Sequence, residues 1–427
     1  MSSSAFSPNA AGRFALLATS AKSLALIDRQ RLLGSLQGVA SWLETATDTA
    51  RGLGVGHRVA VYLSDGRMNW MYPHGNSGEV ISAWIELGEI LERPEYQARA
   101  LDYGAGLLDD PVTGLYRGEV REAHGLAWYW TDSGSYTCGY SMRMPVHFLR
   151  LYEKSGETRF LDICDVIGRT MLHRQTASGL VDASWSPRRG WQEGGTRVGC
   201  RYAYSLATFA TLFKITGDAA YRQAYERAVE ALLAMQNEDG SFYQHYEVAT
   251  GEPSPNECSI KPFFFSYLFN AMMEAYEAMG DARLLGVAER LGGYLAGLYY
   301  YRRSIPYCLG ETLLPTDRVE ADTAVHDLAN GLLWLYSLNG NAVFLDLGVQ
   351  LWIDAWLSQA EMPEKPGWHG AILHGVNPAL CVPVEGVPED REHLQYDSTR
   401  IAKCTLWMIV NHLFATRRLL DLKPVTK

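Results

Sequence analysis

The chain has 427 residues, of which 47% are hydrophobic and 20% charged, and its formal net charge is -10. This balance excludes the disordered class, and an acidic chain without a Lys/Arg run is a poor match for a nucleic-acid backbone or an anionic membrane surface. The length exceeds the usual size of one hydrophobic core, so two domains are expected unless one closed architecture takes up the whole chain.

No apolar stretch is long enough to span a bilayer, and the segment 13–26 is interrupted by Ser20, Lys22 and Ser23 and lacks the cleavage site of a signal peptide. Seven cysteines, at 138, 164, 200, 258, 308, 381 and 404, form no Cys-x-x-Cys pair, and their odd number argues against a complete disulfide framework. The expectation is a soluble, cytoplasmic protein whose thiols are mostly buried and structural.

The first helix is predicted over 27 to about 47. After it comes a motif that recurs through the chain: LERPEY (91–96), YEKSGETRF (152–160), FKITGDAAY (213–221), YEAMGDARL (276–284) and YSLNGNAVF (336–344). The closing residues Tyr96, Phe160, Tyr221, Leu284 and Phe344 lie 64, 61, 63 and 60 residues apart. That period is too long for a two-helix solenoid with short turns, so each unit holds two helices and a substantial loop.

The motif reads as one helix end, a turn and the next helix start. Gly156, Gly217, Gly280 and Gly340 supply left-handed C-cap positions, and the polar residue that follows can cap the next helix. An amphipathic helix comes next, as over 219–236, where Tyr221, Tyr225, Ala228, Val229 and Leu232 fall at helical spacing. Gly-rich loops follow (109–116, 175–181, 236–242), and then a second, more apolar helix over 76–91, 136–152, 198–215, 259–279, 323–338 and 397–420. With the helix from residue 27 these make six pairs, the number a closed ring requires, with apolar helices inside and amphipathic ones outside. An open solenoid has short loops on both edges, whereas here one class of loop is short and the other long.

This repeat resembles the six-hairpin glycosidase superfamily over roughly 27–420, and more loosely its unsaturated-uronyl hydrolase branch. The resemblance implies one all-α domain over 1–427, an (α/α)6 barrel or toroid of six helical hairpins, and a carbohydrate substrate. The stretch YTCGYSMRMPVHFLRLYEKSGETRFLD (136–162) is similar to a segment of those hydrolases in which an Asp precedes a Gly-aromatic pair, a Met, a Pro and a long helix. Cys138 stands where that Asp would fall, so the fold and substrate class carry over and that catalytic residue does not.

In such a ring the long loops and the first turns of the inner helices face one cavity. The first loop offers His74, Asn76 and Glu79; the second Trp130, Asp132 and Tyr136; the third Trp191, Glu193, Arg197, Arg201 and Tyr202. The fourth offers Asn256, Glu257 and Lys261, the fifth Glu320, Asp322, His326, Asp327 and Asn330, and the sixth Tyr396, Asp397, Arg400 and Lys403. An acid at a helix start is ordinarily a cap or a dipole partner, which is the plain account of Asp132, Glu257, Asp322 and Asp397. Asp327 and Asn330 stand apart, because they read as part of an apolar helix, and an Asp pointing into a core is costly unless paired or facing a polar cavity.

Arg197 and Arg201, spaced by four, would share one helical face, as would His326 with Asn330 and Asp397 with Arg400. These cations either pair with nearby acids or bind a sugar carboxylate, a task suited to a guanidinium fork. Trp70, Tyr72, Trp128, Trp130, Trp185, Trp191, Trp368 and Tyr396 crowd the same loops and can stack on pyranose faces or pack the loops themselves. The histidines and cysteines lack metal-ligand spacing, and no phosphate-binding or dinucleotide fingerprint is present, so neither metal nor cofactor is expected.

Two chemistries fit. A glycoside hydrolase on an acidic, uronic-acid-containing oligosaccharide would use Asp327 and Glu193, with Asp132, Asp322 and Asp397 in reserve. A uronate lyase or epimerase would rely on Tyr136, Tyr202, His74 or His326, with Arg or Lys neutralising the carboxylate. A non-catalytic glycan-binding toroid is the third reading. The sequence does not disclose the oligomeric state.

Overall fold

The structure, a computed structural model, describes residues 27–49, 78–109, 141–182, 200–255, 262–302, 327–357 and 401–422, with short pieces at 58–62, 68–70, 136–137, 184–186, 190–191 and 197–198 and the single positions 260, 305, 309, 359, 370 and 372. Twelve α-helices lie among these residues: α1 (Arg29–Thr49), α2 (Gly78–Ile90), α3 (Pro94–Asp109), α4 (Met144–Ser155), α5 (Thr158–Arg174), α6 (Tyr204–Thr216), α7 (Ala219–Met235), α8 (Phe265–Met279), α9 (Ala282–Arg302), α10 (Leu328–Asn339), α11 (Ala342–Leu357) and α12 (Leu406–Leu422). The strands are short: β1 (Arg58–Tyr62), β2 (Met68–Trp70), β3 (Tyr136–Thr137), β4 (Ser184–Ser186), β5 (Gly190–Trp191), β6 (Arg197–Val198), β7 (Tyr246–Glu247) and β8 (Ile401–Thr405).

The recurring motif forms the expected turn. Gly156, Gly217, Gly280 and Gly340 take φ of 72°, 70°, 66° and 68°, and their amides donate to the carbonyls of Tyr152, Phe213, Tyr276 and Tyr336 at 2.7–2.8 Å. The left-handed conformation is open to glycine at no Cβ cost, which is why the motif carries one. The first copy of the motif lacks a glycine; there Glu92 takes φ 54° and Pro94 opens α3, a position where its missing N–H costs nothing. The polar residue after the glycine caps the next helix at Asp218, Asp281 and Asn341, whose side chains accept from the amides of Ala220, Arg283 and Val343. Glu157 makes no such bond.

A second repeated device ties three of the outer helices to their neighbours. After α5, the Gln175 amide donates to the carbonyls of Gly179 and Ala224, the latter on α7. After α7, Gln236 donates to Gly240 and to Val287 on α9 in the same manner. After α11, Gln359 donates to Gly370 and to Ser35 on α1. A Cβ at Gly179 would run into the Arg227 carbonyl oxygen, and one at Gly370 into that of Gly38. The last outer helix thus meets the first as α5 meets α7.

By contact density the chain divides into two units. One comprises Met1–Met71, Ser259–Ser266 and Glu289–Lys427, and the other Tyr72–Cys258 and Tyr267–Ala288; the division runs through α8 and α9. In the second unit α2 packs on α3, α4 on α5 and α6 on α7, while α4 also touches α2 and α6. Trp84, Tyr96, Phe148, Tyr204, Tyr221 and Tyr225 are fully buried there. In the first unit α10 packs on α11 and α12, and α12 on α1, around buried Trp42, Trp334 and Trp352. Each buried side chain of this size removes enough apolar surface to contribute about 2 kcal/mol.

The apolar helices begin later than their sequence pattern predicts. Arg197 lies on β6, paired with Glu247 of β7, and Arg201 lies in a 3-10 turn (Cys200–Ala203), so the two do not share a helical face. Tyr136 belongs to β3 rather than to the helix that starts at Met144. Lys403 belongs to β8, which pairs with β1 (Ala60 opposite Lys403), and the sixth apolar helix starts at Leu406, well past residue 397. For Arg197, Tyr136 and Lys403 a partner strand distant in sequence supplies the backbone pairing.

Candidate active site

The second unit holds a buried cluster of charges at the starts of its apolar helices. Glu79, in the first turn of α2, is 1% exposed, and its Oε1 accepts from Nη1 of Arg143, which immediately precedes α4 and is 3% exposed. The same guanidinium grips Glu274 on α8 through Nη2 and through Nε, at 3.2 Å to Oε1 and 3.1 Å to Oε2. It also lies over the Tyr204 ring, 5.6 Å from its centroid. His147, one turn into α4, places Nε2 3.4 Å from Glu79 Oε1 and shares a 2.8 Å hydrogen bond between Nδ1 and Ser82 Oγ.

Burial by itself would raise the Glu79 carboxyl, but Arg143 and His147 outweigh burial and hold it below the ordinary carboxylate range. Burial likewise works against the charge on Arg143, and Glu274 and Glu79 more than compensate, keeping it cationic. Glu79 Oε2 and His147 Nε2 remain without a hydrogen-bond partner. Glu79 was expected to bind substrate; its geometry is that of a carboxylate committed to an ion pair.

In the first unit Asp327 is 2% exposed. Contrary to its sequence reading it lies ahead of α10, at the N-cap, yet its side chain makes no capping bond. Asn330, 0% exposed, donates to Asn411 Oδ1 at 3.4 Å and accepts from Arg418 Nε at 2.9 Å, which ties α10 to α12. Nearby, Ser35 Oγ hydrogen-bonds His412 Nε2 at 2.8 Å, and the His412 ring stacks on Trp352.

Tyr202 is buried, with its ring edge-on to Tyr246 at 6.4 Å. The backbone register places Tyr136, Trp185 and Trp191 in one row across the β3–β4–β5 sheet, which brings two expected site residues into line. Glu193, Asp132, Asp322, Asp397, His74, Asn76, Trp130, Glu257, Lys261, His326, Tyr396 and Arg400 lie outside the described residues. Among the described residues no group of three or more His, Cys, Asp or Glu could hold a metal ion, and no helix is long and apolar enough to cross a membrane.

Arg143, His147 and Glu274 were not among the site residues expected from the sequence. Glu274, in FNAMMEAY, is an acid in an apolar helix, the same signal that drew attention to Asp327.

Solved structures share this fold. An unsaturated glucuronyl hydrolase specific for heparin superposes with a TM-score of 0.64 at 14% identity, over 93% of this chain and 99% of its own. The unsaturated glucuronyl hydrolase of Streptococcus agalactiae gives 0.65 at 12% identity, covering 93% of each chain. That of Bacillus sp. GL1 gives 0.64 at 16%, covering 92% of this chain and 97% of that one. The chain has the (α/α)6 toroid fold of these hydrolases. More particularly, residues 163–374 match the family model described as Beta-L-arabinofuranosidase, GH127 catalytic domain. No curated protein matches the sequence.

Proposed function

We propose that residues 1–427 form one toroid domain that hydrolyses a glycosidic bond in an acidic, uronic-acid-containing oligosaccharide by carboxylate acid/base catalysis. The observation that carries the reading is Asp327: it is buried at the start of an apolar helix and does not cap it. A carboxylate kept in such a place without a capping role is a candidate for proton transfer. Glu193 is its expected partner, with Asp132, Asp322 and Asp397 in reserve. The uronate preference draws on the names of the structural neighbours and on the cations Arg197, Arg201, Lys261 and Arg400. Cytoplasmic placement draws on the cysteine pattern, of which Cys164 is a free, buried thiol.

The test is product analysis on an unsaturated glucuronyl disaccharide and on its carboxyl-reduced analogue. Hydrolysis yields a new reducing end, faster with the acidic sugar. A newly formed unsaturated ring from a saturated uronate would mark a lyase, and an inverted C5 centre an epimerase. Equal rates on the two disaccharides would end the acidic-substrate reading.

A further inference from the structure

Helix α10 packs on α12 with Leu328, Leu332, Leu333 and Leu335 buried on the one and Val410 and Leu413 on the other. Apolar burial of this kind is non-directional, so it holds the two helices together without fixing how α10 is rotated or how far it has slid. A buried Asn between helices sets register, because its hydrogen bonds weaken steeply once their geometry is lost. Asn330 is such a residue. Its Nδ2 donates to Asn411 Oδ1 at 3.4 Å, and its Oδ1 accepts from Arg418 Nε at 2.9 Å. Arg418 is half-buried, two turns beyond Asn411 on α12, and makes the shorter of the two bonds.

Asp327 stands three residues ahead of Asn330, and its φ of -56° and ψ of -26° continue the helical geometry, so the two residues share a face of one turn. The Asp327 side chain makes no capping bond, so the place of its carboxylate follows the backbone of this turn. We propose that Arg418 is a positioning residue for Asp327: through its bond to Asn330 it fixes the first turn of α10, and with it the distance from the Asp327 carboxylate to the reacting bond. The proposal rests on the hydrolase reading and adds to it a residue on another helix that touches no sugar. Proton transfer requires hydrogen-bond reach, and a misplacement of about 1 Å costs on the order of a hundredfold in rate.

Turnover of the unsaturated glucuronyl disaccharide by wild type, R418M, D327N and R418M combined with D327N tests it, with thermal melting confirming a folded protein. In R418M kcat is expected to fall on the order of tenfold or more while KM changes by about twofold or less, because the sugar contacts are untouched. D327N removes the group through which Arg418 acts, so adding R418M to D327N should cost no further turnover. If R418M fails to fold, R418K carries the same test: it keeps the charge and the apolar stem but has a methylene where Arg has Nε. A folded variant with wild-type kcat, or a loss that persists undiminished in the D327N background, overturns the proposal and leaves the hydrolase reading standing. No cleavage by the wild type, or near-normal turnover by D327N, ends the hydrolase reading itself, and the proposal falls with it.

Discussion

Gln359 and Ser35 are 324 residues apart and hold one another by two hydrogen bonds: the Ser35 hydroxyl donates to Gln359 Oε1 at 2.7 Å, and Gln359 Nε2 donates to the Ser35 carbonyl at 3.1 Å. The pair repeats between α11 and α1 what Gln175 does between α5 and α7, where Arg227 takes the place of the serine hydroxyl as donor.

Replacing Gln359 by Ala removes bonds to two carbonyls as well as the Ser35 contact, at about 1 kcal/mol for each bond lost. Q359A is expected to melt several degrees below wild type. Q359E keeps the acceptor and loses the donor, so it should fall as far or further. A melting temperature unchanged in both would show that the clamp contributes nothing.

The glycines separate two costs. Gly156 takes φ 72° with nothing within 4 Å of an added Cβ, so G156A pays only for the left-handed backbone, about 1 kcal/mol. Gly370 takes φ 81° and faces the Gly38 backbone directly, so G370A must displace the chain and is expected to cost several times more. Chemical denaturation of the two variants compares them, and similar losses would contradict the close approach.

Glu79 makes stability depend on acid. Its carboxyl titrates near 4.5 when unperturbed and lower in the fold, so the stabilisation it provides is present above 4.5 and is lost as pH falls through the folded value. E79Q leaves Arg143 paired with Glu274 alone and should cost about 1.5–3 kcal/mol at pH 7. The gap between E79Q and wild type should narrow below pH 4.5. A gap constant with pH would mean that Glu79 is not ionised in the fold.

Asp327 is the activity prediction. D327N should keep the fold and lose on the order of a hundredfold or more in turnover if the carboxylate transfers a proton. A folded D327N with near-normal turnover, beside a dead Y202F or Y136F, would replace the hydrolase reading with the lyase or epimerase one. Loss of folding in D327N would instead make Asp327 a structural group.

What the sequence determined by itself was local. A glycine at the end of an apolar run, a polar residue after it and an aromatic or leucine four residues on decide a left-handed cap and a helix start within one turn of backbone, so Gly156, Gly217, Gly280 and Gly340 and the six-pair repeat could be read directly. The starts of the apolar helices were not legible, because Arg197 and Lys403 become strand residues only when Glu247 and Ala60 supply the other half of their hydrogen bonds. The charge cluster was illegible for the same reason: Arg143 meets Glu79 and Glu274 across separations of 64 and 131 residues. Periodicity shows which face of a helix is apolar, but only packing decides which buried charge finds which partner, because the ion pair forms between helices whose separation in space no local pattern encodes.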